Sequence, residues 1–283
     1  MARLEIPTAP LLVAGVWDGL SAALARDTGF GGVFLSGFAV AASLGLPDAD
    51  LYTREDMTRA TAVVARASGL PVIADMDTGW GDATSAWHAT RAFEAAGAAA
   101  VMIEDQVSPK PGPLADQSTV SLVPVAAAAA KIRACVAGRL DPDTRVVART
   151  NARDNDEVVA RLSAYAAAGA DVVFPMRHDE GFGLDGWRAL SDACPGVPVA
   201  AAAAPGSWLE ANVDPSTAQE LGITVLIHSL QGVLAAAGAI RGAFADIAAG
   251  RSVAVSAGAA RVRDVTDVVG LPALRDLQHR FST

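Results

Sequence analysis

The sequence predicts an α/β protein with the fold of a (β/α)8 (TIM) barrel, and three observations lead to this prediction. Short runs of apolar and β-branched residues recur eight times along the 283 residues, each bounded by Gly, Pro or Asp. These runs are apolar on both faces, which is typical of parallel strands that are covered on both sides. Ala-rich amphipathic segments lie between them, without a linker or a break in composition. An open, doubly wound sheet is the alternative, and the lack of G-x-G-x-x-G after the first run weakens its dinucleotide-binding form.

The predicted strands and helices alternate along the chain. The predicted strands cover residues 11–17, 31–37, 71–77, 99–105, 145–150, 171–176, 197–203 and 223–229. The clearest helical segments between them are 19–28, 54–67, 83–96, 123–137 and 154–168. Several of these segments end in phrases such as "EAAGAAA" and "AQELGIT", in which Gly precedes the next strand and is expected to form a left-handed C-cap. Eight units in uninterrupted alternation indicate one barrel.

We expect the whole chain, residues 1–283, to form a single barrel domain. Residues 230–283 are predicted to supply the eighth helix and further C-terminal helices, at about 230–249, 253–259 and 272–281. A barrel needs only one covering helix after its last strand. We therefore expect the surplus helices to pack against a neighbouring subunit, in a homodimer or a homotetramer.

The composition argues against several classes of protein. Hydrophobic residues make up 52% of the chain and the mean hydropathy is +0.32, so a large core is expected rather than disorder. The net charge of −9 argues against a nucleic-acid partner, because an acidic surface repels phosphates. The two cysteines, Cys135 and Cys194, lie in apolar stretches and suit free thiols in a reducing cytoplasm. We expect neither a signal peptide nor a membrane span, since no apolar run reaches the roughly 20 residues of a spanning helix.

Acidic side chains follow two neighbouring predicted strands, at the end where barrels carry their chemistry. The stretch "DMDTGWGD" (75–82) places Asp75 and Asp77 at the end of the third strand, where alternate residues should point to the same side. Glu104 ends the fourth strand. Three carboxylates at one mouth suit a hard divalent cation with oxygen ligands, Mg²⁺ or Mn²⁺. The alternative is a loop of solvated acids and helix caps, and a cap is the role expected of Asp82.

Further polar residues at the strand ends are candidates for binding a small carboxylate substrate. Arg149 lies at the end of the fifth strand, where it could hold a carboxylate through two parallel hydrogen bonds or form a salt bridge to one of the acids. The other candidates for substrate binding are Trp17, Ser36, Gly37, Arg177, His178 and His228. For Trp17 the alternative is packing at the barrel rim.

Other catalytic chemistries find less support in the sequence. There is no G-x-S-x-G elbow of a serine hydrolase, and there are no His and Cys clusters of the kind that bind zinc. Both lysines, Lys110 in a predicted loop and Lys131 in a predicted helix, lie away from the strand ends where a Schiff-base lysine would stand. A metal-dependent lyase is therefore favoured over a lysine-dependent aldolase.

Four stretches carry a resemblance to a known family. They are "SGFAVAASLGLPD" (36–48), "DMDTGWGD" (75–82), "IEDQVSPK" (103–110) and "ARTNA" (148–152). In this order they resemble the phosphoenolpyruvate mutase/isocitrate lyase superfamily, and the match runs from about residue 10 to residue 250. The resemblance implies a barrel whose eighth helix is swapped between subunits, a dimer-of-dimers assembly, and a 2-oxo acid or its enolate held by Mg²⁺.

The resemblance also implies roles for particular residues. Substrate oxygens would lie on the backbone around Ser36 and Gly37. Asp48 matches a site residue, Arg149 matches the arginine that binds the substrate carboxylate, and Lys110 is retained from the loop that covers the substrate. These last three are the catalytic candidates. The acids that match the residues around the metal, partly through water, are Asp75, Asp77 and Glu104.

The departures from the family pattern concern the other half of the site. The loop at 108–117 reads "SPKPGPLADQ" and lacks the cysteine and histidine of the K-[KR]-C-G-H loop, whose cysteine protonates the leaving carbon in family lyases. Gly112 stands where the mutases and phosphonopyruvate hydrolases carry Asn. Met176 replaces the lyase glutamate after the sixth strand, and alanines follow the seventh. The half that holds metal and oxo acid is retained, whereas the half that selects the leaving group is rebuilt.

The sequence thus predicts a Mg²⁺-dependent enzyme that acts on a small 2-oxo or 2-hydroxy carboxylic acid through a metal-stabilised enolate, by C–C cleavage or decarboxylation. One alternative is P–C bond chemistry on a substrate such as phosphonopyruvate, for which Arg177 and His178 would suit a phosphonate or a second carboxylate. Another alternative is a non-catalytic barrel that serves in binding or assembly.

Overall fold

Eight parallel strands close into a barrel in the computed structural model of the protein, which describes residues 2–7, 9–112, 120–252 and 260–281. The strands are Leu11–Val16 (β1), Gly32–Leu35 (β2), Val72–Asp75 (β3), Ala100–Glu104 (β4), Arg145–Thr150 (β5), Val172–Pro175 (β6), Val199–Ala202 (β7) and Ile223–His228 (β8). Each strand pairs with the next in the chain, and β8 pairs with β1. The predicted barrel is confirmed, and the open sheet is excluded.

Helices cover the outside of the barrel in the order that the alternating pattern predicts. The helices are Gly19–Asp27 (α1), Gly37–Ser43 (α2), Arg54–Ser68 (α3), Ala83–Ala95 (α4), Val125–Gly138 (α5), Asn155–Ala167 (α6), Gly183–Ala193 (α7), Trp208–Asn212 (α8), Pro215–Glu220 (α9), Gln231–Ala248 (α10), Val262–Val268 (α11) and Leu271–Phe281 (α12). Asp18, Thr53, Asp82 and Asp154 each accept a backbone N–H as helix N-caps. Asp82 therefore caps α4, as expected.

Several predicted boundaries differ from the structure at the C-terminal ends of the strands. The strands predicted to reach residues 37 and 77 end at Leu35 and Asp75, because the chain turns there to begin α2 and a tight loop. The short helices α2, α8, α9 and α11 were not predicted, since they span seven residues or fewer. The helix predicted at 253–259 lies outside the described residues.

In the described part of the chain, two apolar clusters make up the core. The inner cluster fills the barrel with inward-facing residues from every strand, among them Val13, Ile73 and Val147. Leu4, from the segment before β1, joins this cluster. The larger outer cluster lies between strands and helices and includes Trp187 and Tyr165. Strand residues are buried on both faces, which is the physical reason for their continuous apolar runs.

The C-terminal helices leave apolar side chains exposed. Large apolar residues are exposed on all three helices α10 to α12 and at Val269, between α11 and α12. They are Leu234, Ile240, Phe244, Ile247, Val262, Val269, Leu274, Leu277 and Phe281. No residue of α10, α11 or α12 is buried. Within the described ranges, no helix combines the length and the apolar character that a membrane crossing requires.

Candidate active site

A cavity of about 340 Å³ opens at the C-terminal ends of the strands. Its polar side comes from β2 to β5 and the segments that follow them. The polar and charged residues that line this side are Ser36, Asp48, Asp75, Gln106, Lys110, Arg149, Asn151 and Arg153. Barrel enzymes carry their active sites at this end, so the cavity is the candidate active site.

Asp75 and Asp77 lie close together, but not for the reason that strand alternation suggests. Asp75 is the last residue of β3, and Asp77 has a left-handed backbone with φ of +43°. The backbone N–H of Asp77 donates to Asp75 Oδ1 at 3.1 Å. The backbone N–H of Gly37 donates to Asp75 Oδ2 at 3.4 Å. A tight turn, rather than the pleat of a strand, therefore brings the two carboxylates together.

Gly37 is required by the closeness of this packing. A Cβ at position 37 would lie 2.4 Å from the hydroxyl of Tyr52 and 3.1 Å from Asp75 Oδ2. A larger residue would therefore push the backbone of α2 away from the acids. Gly37 thus contributes its N–H to Asp75 and its lack of a side chain to the packing, while the contact of its backbone with substrate oxygens stays a prediction.

Lys110 supplies a positive charge among the buried acids. Its Nζ lies 2.5 Å from Asp77 Oδ1 and 2.8 Å from Asp48 Oδ1. Its backbone N–H donates to Asp50 Oδ2 at 3.0 Å, and Ser108 donates to the same oxygen at 2.7 Å. Burial would lower the pKa of Lys110, but Asp77 and the other acids outweigh it and raise the pKa. Lys110 lies in a loop, as predicted, yet its ammonium is a charged part of the acidic cluster.

Tyr52 completes the surroundings of Asp77 and was missed by the sequence reasoning. Its hydroxyl donates to the Asp77 carboxylate. Burial and the charge of Asp77 raise the pKa of Tyr52 well above its usual range, so it stays a donor. Burial and the charge of Asp75 raise the pKa of Asp77 to about 7, although Lys110 acts in the opposite direction. No motif around Tyr52, in "DLYTRED", indicates this contact.

Glu104 and Arg149 face each other across the ends of β4 and β5. Arg149 Nη2 lies 2.9 Å from Glu104 Oε2 and donates to Asn151 Oδ1 at 2.9 Å. Gln106 and Asn151 donate to the two oxygens of Glu104. Burial would raise the pKa of Glu104, but Arg149 and Lys110 lower it further than burial raises it. Glu104 is thus a carboxylate with a partner at each oxygen.

The Nε of Arg149 is buried and has no hydrogen-bond partner among the described residues. Arg149 also lines the cavity. The sequence left two roles open for Arg149, a salt bridge to one of the acids or the binding of a substrate carboxylate. The salt bridge to Glu104 is present, and the Nε–H remains for a ligand.

Asp105 holds the segment after β5 in place by accepting hydrogen bonds from β5, from that segment and from α6. It accepts hydrogen bonds from Thr150 Oγ1 at 2.6 Å and from the backbone N–H of Asn151 at 3.0 Å. The Tyr165 hydroxyl and Arg161 Nη1 of α6 donate to Oδ2, the oxygen that also accepts from Thr150, at 2.8 Å and 3.4 Å. This network ties the position of Asn151, and so of Arg149 and Glu104, to a covering helix.

Of the residues that follow β6, some line the cavity, whereas Arg177 does not. Met176 and His178 line the cavity, and the Nδ1 of His178 is buried without a partner among the described residues. Burial and the charge of Arg153 lower the pKa of His178. Arg177 points away: its guanidinium donates to Asp179, Asn155 and the carbonyl of Arg153. The cation that lines the cavity here is Arg153, a residue that the sequence reasoning missed.

Trp17 and His228 do not line the cavity either. His228 is the last residue of β8, and its ring lies 6.5 Å from that of Phe30 in an edge-to-face contact on the outer side of the strand. Its neighbours Ile227 and Ser229 line the cavity instead. Trp17 packs on the outer core cluster. Alternation along a strand directs every second side chain outward, so a position at a strand end does not by itself place a residue in the site.

The carboxylates of Asp75, Asp77 and Glu104 fit a divalent cation that is bound mainly through Asp75. Among the described residues, no three His, Cys, Asp or Glu side chains lie close enough together to hold a metal ion by themselves. Asp77 and Glu104 are paired with Lys110 and Arg149, whereas no such ion pair to Asp75 is seen in the described part of the chain. Burial raises the pKa of Asp75 despite Arg149 and Lys110. Mg²⁺ typically takes one or two carboxylates and keeps several waters, which matches this arrangement.

Comparison with known proteins shows which family the chain resembles over most of its length. The phosphoenolpyruvate phosphomutase family profile matches residues 1–248. The 2,3-dimethylmalate lyase of Eubacterium barkeri is 30% identical over 292 residues, covering 99% of this chain and 97% of that protein. The phosphonopyruvate hydrolase of Variovorax sp. (strain Pal2) is 32% identical over 269 residues, covering 93% and 91%.

A solved structure supports the same assignment. The crystal structure of a phosphonopyruvate hydrolase in complex with oxalate and Mg²⁺ superposes with a TM-score of 0.83 at 29% identity, covering 97% of this chain and 95% of that one. The resemblance seen in the sequence motifs is thereby confirmed over nearly the whole chain. The chain is therefore an enzyme of the phosphoenolpyruvate phosphomutase family, within the phosphoenolpyruvate mutase/isocitrate lyase superfamily.

Proposed function

We propose that the protein is a divalent-metal-dependent lyase that breaks a C–C bond in a small 2-oxo or 2-hydroxy carboxylic acid, by retro-aldol cleavage or decarboxylation. The observation that carries this proposal is the pairing of two groups at one end of the cavity. Asp75 is a buried carboxylate without an ion-pair partner among the described residues, and Arg149 offers a buried, unpaired N–H. Together they suit a cation and a carboxylate that belong to one ligand.

Asp75 would hold Mg²⁺ or Mn²⁺, and Asp77 and Glu104 would act partly through water. When bound, the cation supplies a positive charge that stabilises the negative charge developing on the oxo or hydroxyl oxygen of the substrate. The phosphonopyruvate hydrolase structure with oxalate and Mg²⁺ supports a divalent metal in this role. Buried carboxylates with raised pKa values also favour a cation, because it offsets the cost of their burial.

Arg149 would orient the substrate through its Nε–H, and Ser36 and the backbone at Gly37 would line the side that faces the substrate oxygens. Both Ser36 and Arg149 line the cavity. Because Arg149 is itself held by Glu104 and Asn151, its guanidinium is oriented before a ligand arrives. Such preorganisation lowers the entropy that substrate binding must remove.

Lys110 would be the donor of the proton that the enolate takes up after the leaving group has departed. Its raised pKa keeps the ammonium protonated, and Asp48 and Asp77 orient it. When the C–C bond breaks, its electron pair remains on the carbon that becomes an enolate, and Lys110 would then transfer a proton to that carbon. Solvent would reprotonate the amine. Decarboxylation suits this arrangement best, because CO₂ leaves without needing a proton.

P–C bond cleavage is the second candidate, and a specific observation favours it. His178, with its unpaired Nδ1, and Arg153 both line the cavity, so a phosphonate could bind between them. The phosphonopyruvate hydrolase relative supports the same reading. A non-catalytic binding barrel is the third candidate, and it requires that neither reaction occurs.

Turnover assays separate these candidates. The protein is stripped with EDTA, and oxaloacetate decarboxylation and phosphate release from phosphonopyruvate are each followed with and without added Mg²⁺. We expect Mg²⁺-dependent loss of oxaloacetate with formation of pyruvate. Phosphate release alone would favour the second candidate. Full activity of the stripped enzyme would contradict the metal role, and binding of oxalate with Mg²⁺ but turnover of neither substrate would favour the third.

We also propose a homodimer or homotetramer in which α10 to α12 pack on a neighbouring subunit and the eighth helix is exchanged. The exposed apolar side chains of these helices support this assembly, because large apolar side chains concentrated in one part of a surface typically mark a protein contact. A cytoplasmic location is the remaining part of the proposal, and the two free, buried cysteines support it.

A further inference from the structure

The segment after β4 contacts the loop between α2 and α3, and the side chain of Asp50 in that loop makes two of the contacts. A single oxygen of Asp50, Oδ2, accepts from Ser108 Oγ at 2.7 Å and from the backbone N–H of Lys110 at 3.0 Å. Gly112 approaches the same loop, since a Cβ at position 112 would lie 3.2 Å from the carbonyl oxygen of Asp48. Asp50 thus joins parts of the chain that are 58 and 60 residues apart.

The backbone of Asp50 is unusual for a residue with a side chain. Its φ is +59°, in the left-handed region, which Gly adopts freely and which Asp and Asn tolerate better than most other residues. Such a backbone persists where surrounding contacts hold it, and the contacts seen at Asp50 are its bonds to Ser108 and Lys110. A strained residue that bonds to a distant segment is expected of a constraint on that segment rather than of an incidental contact.

The two bonds at Asp50 fix the backbone from which the Lys110 side chain extends. The side chain of Lys110 is 7% exposed, and its Nζ contacts Asp77 and Asp48. A lysine carries its ammonium on a flexible four-carbon stem, and burial removes much of its rotamer freedom. A fixed backbone at position 110 reduces the further freedom that this placement must remove. Lys110 lines the cavity, whereas Asp50 is not among the described residues that line it.

We propose that Asp50 is a positioning residue, which holds Ser108 and the backbone of Lys110 through Oδ2 and thereby keeps the Lys110 ammonium at the cavity. The placement of Lys110 does not depend on which reaction occurs. The consequence for turnover rests on the proposed function, in which Lys110 donates a proton. Both donors to Asp50 are uncharged groups, so the role belongs to the oxygen as an acceptor of two hydrogen bonds and not to its charge.

Lysine acetylation measures the placement of Lys110 directly, because Lys110 and Lys131 are the only lysines of the chain. The full-length wild type, Asp50→Gly and Asp50→Asn are treated briefly with an acetyl N-hydroxysuccinimide ester in buffer that contains EDTA, and both sites are quantified by peptide mass spectrometry. Gly removes the acceptor but adopts the left-handed backbone freely, so this variant is expected to fold. Asn tolerates the same backbone, and its amide oxygen can accept both bonds.

The expected result is faster acetylation at one lysine in one variant. Lys110 should react about tenfold faster or more in Asp50→Gly than in the wild type, because two hydrogen bonds of ordinary strength shift an equilibrium by about this factor. Lys131 should be unchanged, and Asp50→Asn should match the wild type at both sites. Equal Lys110 rates in the wild type and Asp50→Gly overturn the inference. An equal rise at Lys110 and Lys131, or an Asn variant that behaves like the Gly variant, overturns it as well.

Steady-state kinetics with saturating Mg²⁺ tests the consequence for the reaction. In Asp50→Gly we expect kcat for oxaloacetate to fall about tenfold, a part of the roughly 10²–10⁴-fold that a general acid contributes. KM should stay close to that of the wild type, since Asp75 and Arg149 hold the head group, and Asp50→Asn should restore kcat. Faster acetylation of Lys110 with unchanged kcat supports the positioning role and contradicts Lys110 as the proton donor. If the wild type turns over no oxaloacetate, the proposed function fails, and the acetylation result still decides the inference.

Discussion

At the scale of single residues, the buried acids of the mouth are balanced by two cations from different parts of the chain. Lys110 contacts Asp48 and Asp77, and Arg149 contacts Glu104. Asp75 has no such contact among the described residues. A carboxylate buried without a counter-ion is unfavourable, so Asp75 is the residue at which a metal ion would make the largest difference.

Replacing Asp75 by Asn tests this assignment. The substitution preserves shape and removes the charge that a cation needs. We expect Mn²⁺ affinity to fall by about 100-fold or more, together with the rate of turnover. Calorimetric titration of the EDTA-stripped protein with Mn²⁺ measures the first effect, and steady-state assays measure the second.

Asp82→Asn is the matched control for that variant. Asp82 is exposed and caps α4, and Asn is as good an N-cap as Asp. Metal affinity and stability should therefore stay at their wild-type values. Wild-type Mn²⁺ affinity in Asp75→Asn would show that the metal lies elsewhere.

Lys110→Met tests the counter-ion role of the lysine. Without the ammonium, Asp48 and Asp77 face each other unpaired in a buried site, which costs roughly 3–5 kcal/mol of folding stability. We expect a lower melting temperature in EDTA and a larger rise on adding Mg²⁺ than in the wild type, because the cation replaces the lost charge. Turnover should also fall, since the proton donor is missing. Differential scanning fluorimetry with and without Mg²⁺ measures the thermal effects.

Lys131→Met provides the comparison. Lys131 is half-buried, and its Nζ donates to the backbone carbonyl of Thr78 at 2.8 Å, without a buried carboxylate as partner. Its loss should leave the Mg²⁺-dependent shift unchanged. Equal shifts in the Lys110 variant and the wild type would contradict the proposed counter-ion role.

At the scale of elements, the segment after β4 and the positions of the cysteines decide which bonds can be cleaved. The described part of this segment brings Lys110 and Gly112 to the cavity. The only two cysteines of the chain, Cys135 in α5 and Cys194 at the end of α7, are buried and do not line it. No thiol is therefore in place to protonate a leaving carbon.

We expect no cleavage of isocitrate or 2-methylisocitrate above background. Their cleavage releases a succinate-type carbanion that needs a proton at the position where family lyases hold the loop cysteine. Glyoxylate and pyruvate formation, followed by a coupled dehydrogenase assay, measures this. A rate typical of enzymes, on the order of 10 per second, would contradict this view of the segment.

Thiol chemistry gives an independent check at the same scale. Burial raises the pKa of Cys135 to about 11, so the thiolate fraction is small below that pH. We expect the native protein to keep full activity after treatment with iodoacetamide at pH 8, with labelling of Cys135 only after denaturation. Loss of activity in step with labelling of the native protein would place a thiol in the reaction.

At the scale of the whole molecule, the C-terminal helices expose large apolar side chains. Among the described residues, Phe244 is 67% exposed and Ile247 60% exposed, on a helix without a buried residue. We expect the wild type to be a dimer or tetramer by light scattering at micromolar concentration. Phe244→Gln should shift it toward smaller species or aggregates, because an amide replaces apolar contact area at the interface.

Leu140→Gln is the control for that variant. Leu140 is 63% exposed, on the loop between α5 and β5 rather than on the C-terminal helices. The same kind of substitution there should leave the assembly unchanged. A stable wild-type monomer at micromolar concentration would contradict the proposed assembly.

The sequence by itself determined the barrel and the acidic motif. Barrel strands are buried on both faces and helices on one, so the alternation of apolar runs and amphipathic segments is local and can be read directly. Asp75, Asp77 and Glu104 were identified from their positions at strand ends and from the family motifs. These properties depend on residues that are near one another in the chain.

Only the tertiary structure decided which side chains face the site. Lys110 and Asp77 are 33 residues apart, and nothing in their local sequence indicates that they pair. Arg149, Arg177 and His228 all lie at or just beyond strand ends, but the loop after β6 and the pleat of β8 direct Arg177 and His228 away from the cavity. Arg153 lines the cavity instead, and Tyr52 contacts Asp77. Side-chain direction and long-range ion pairing depend on how strands close into the barrel, and no local pattern encodes that closure.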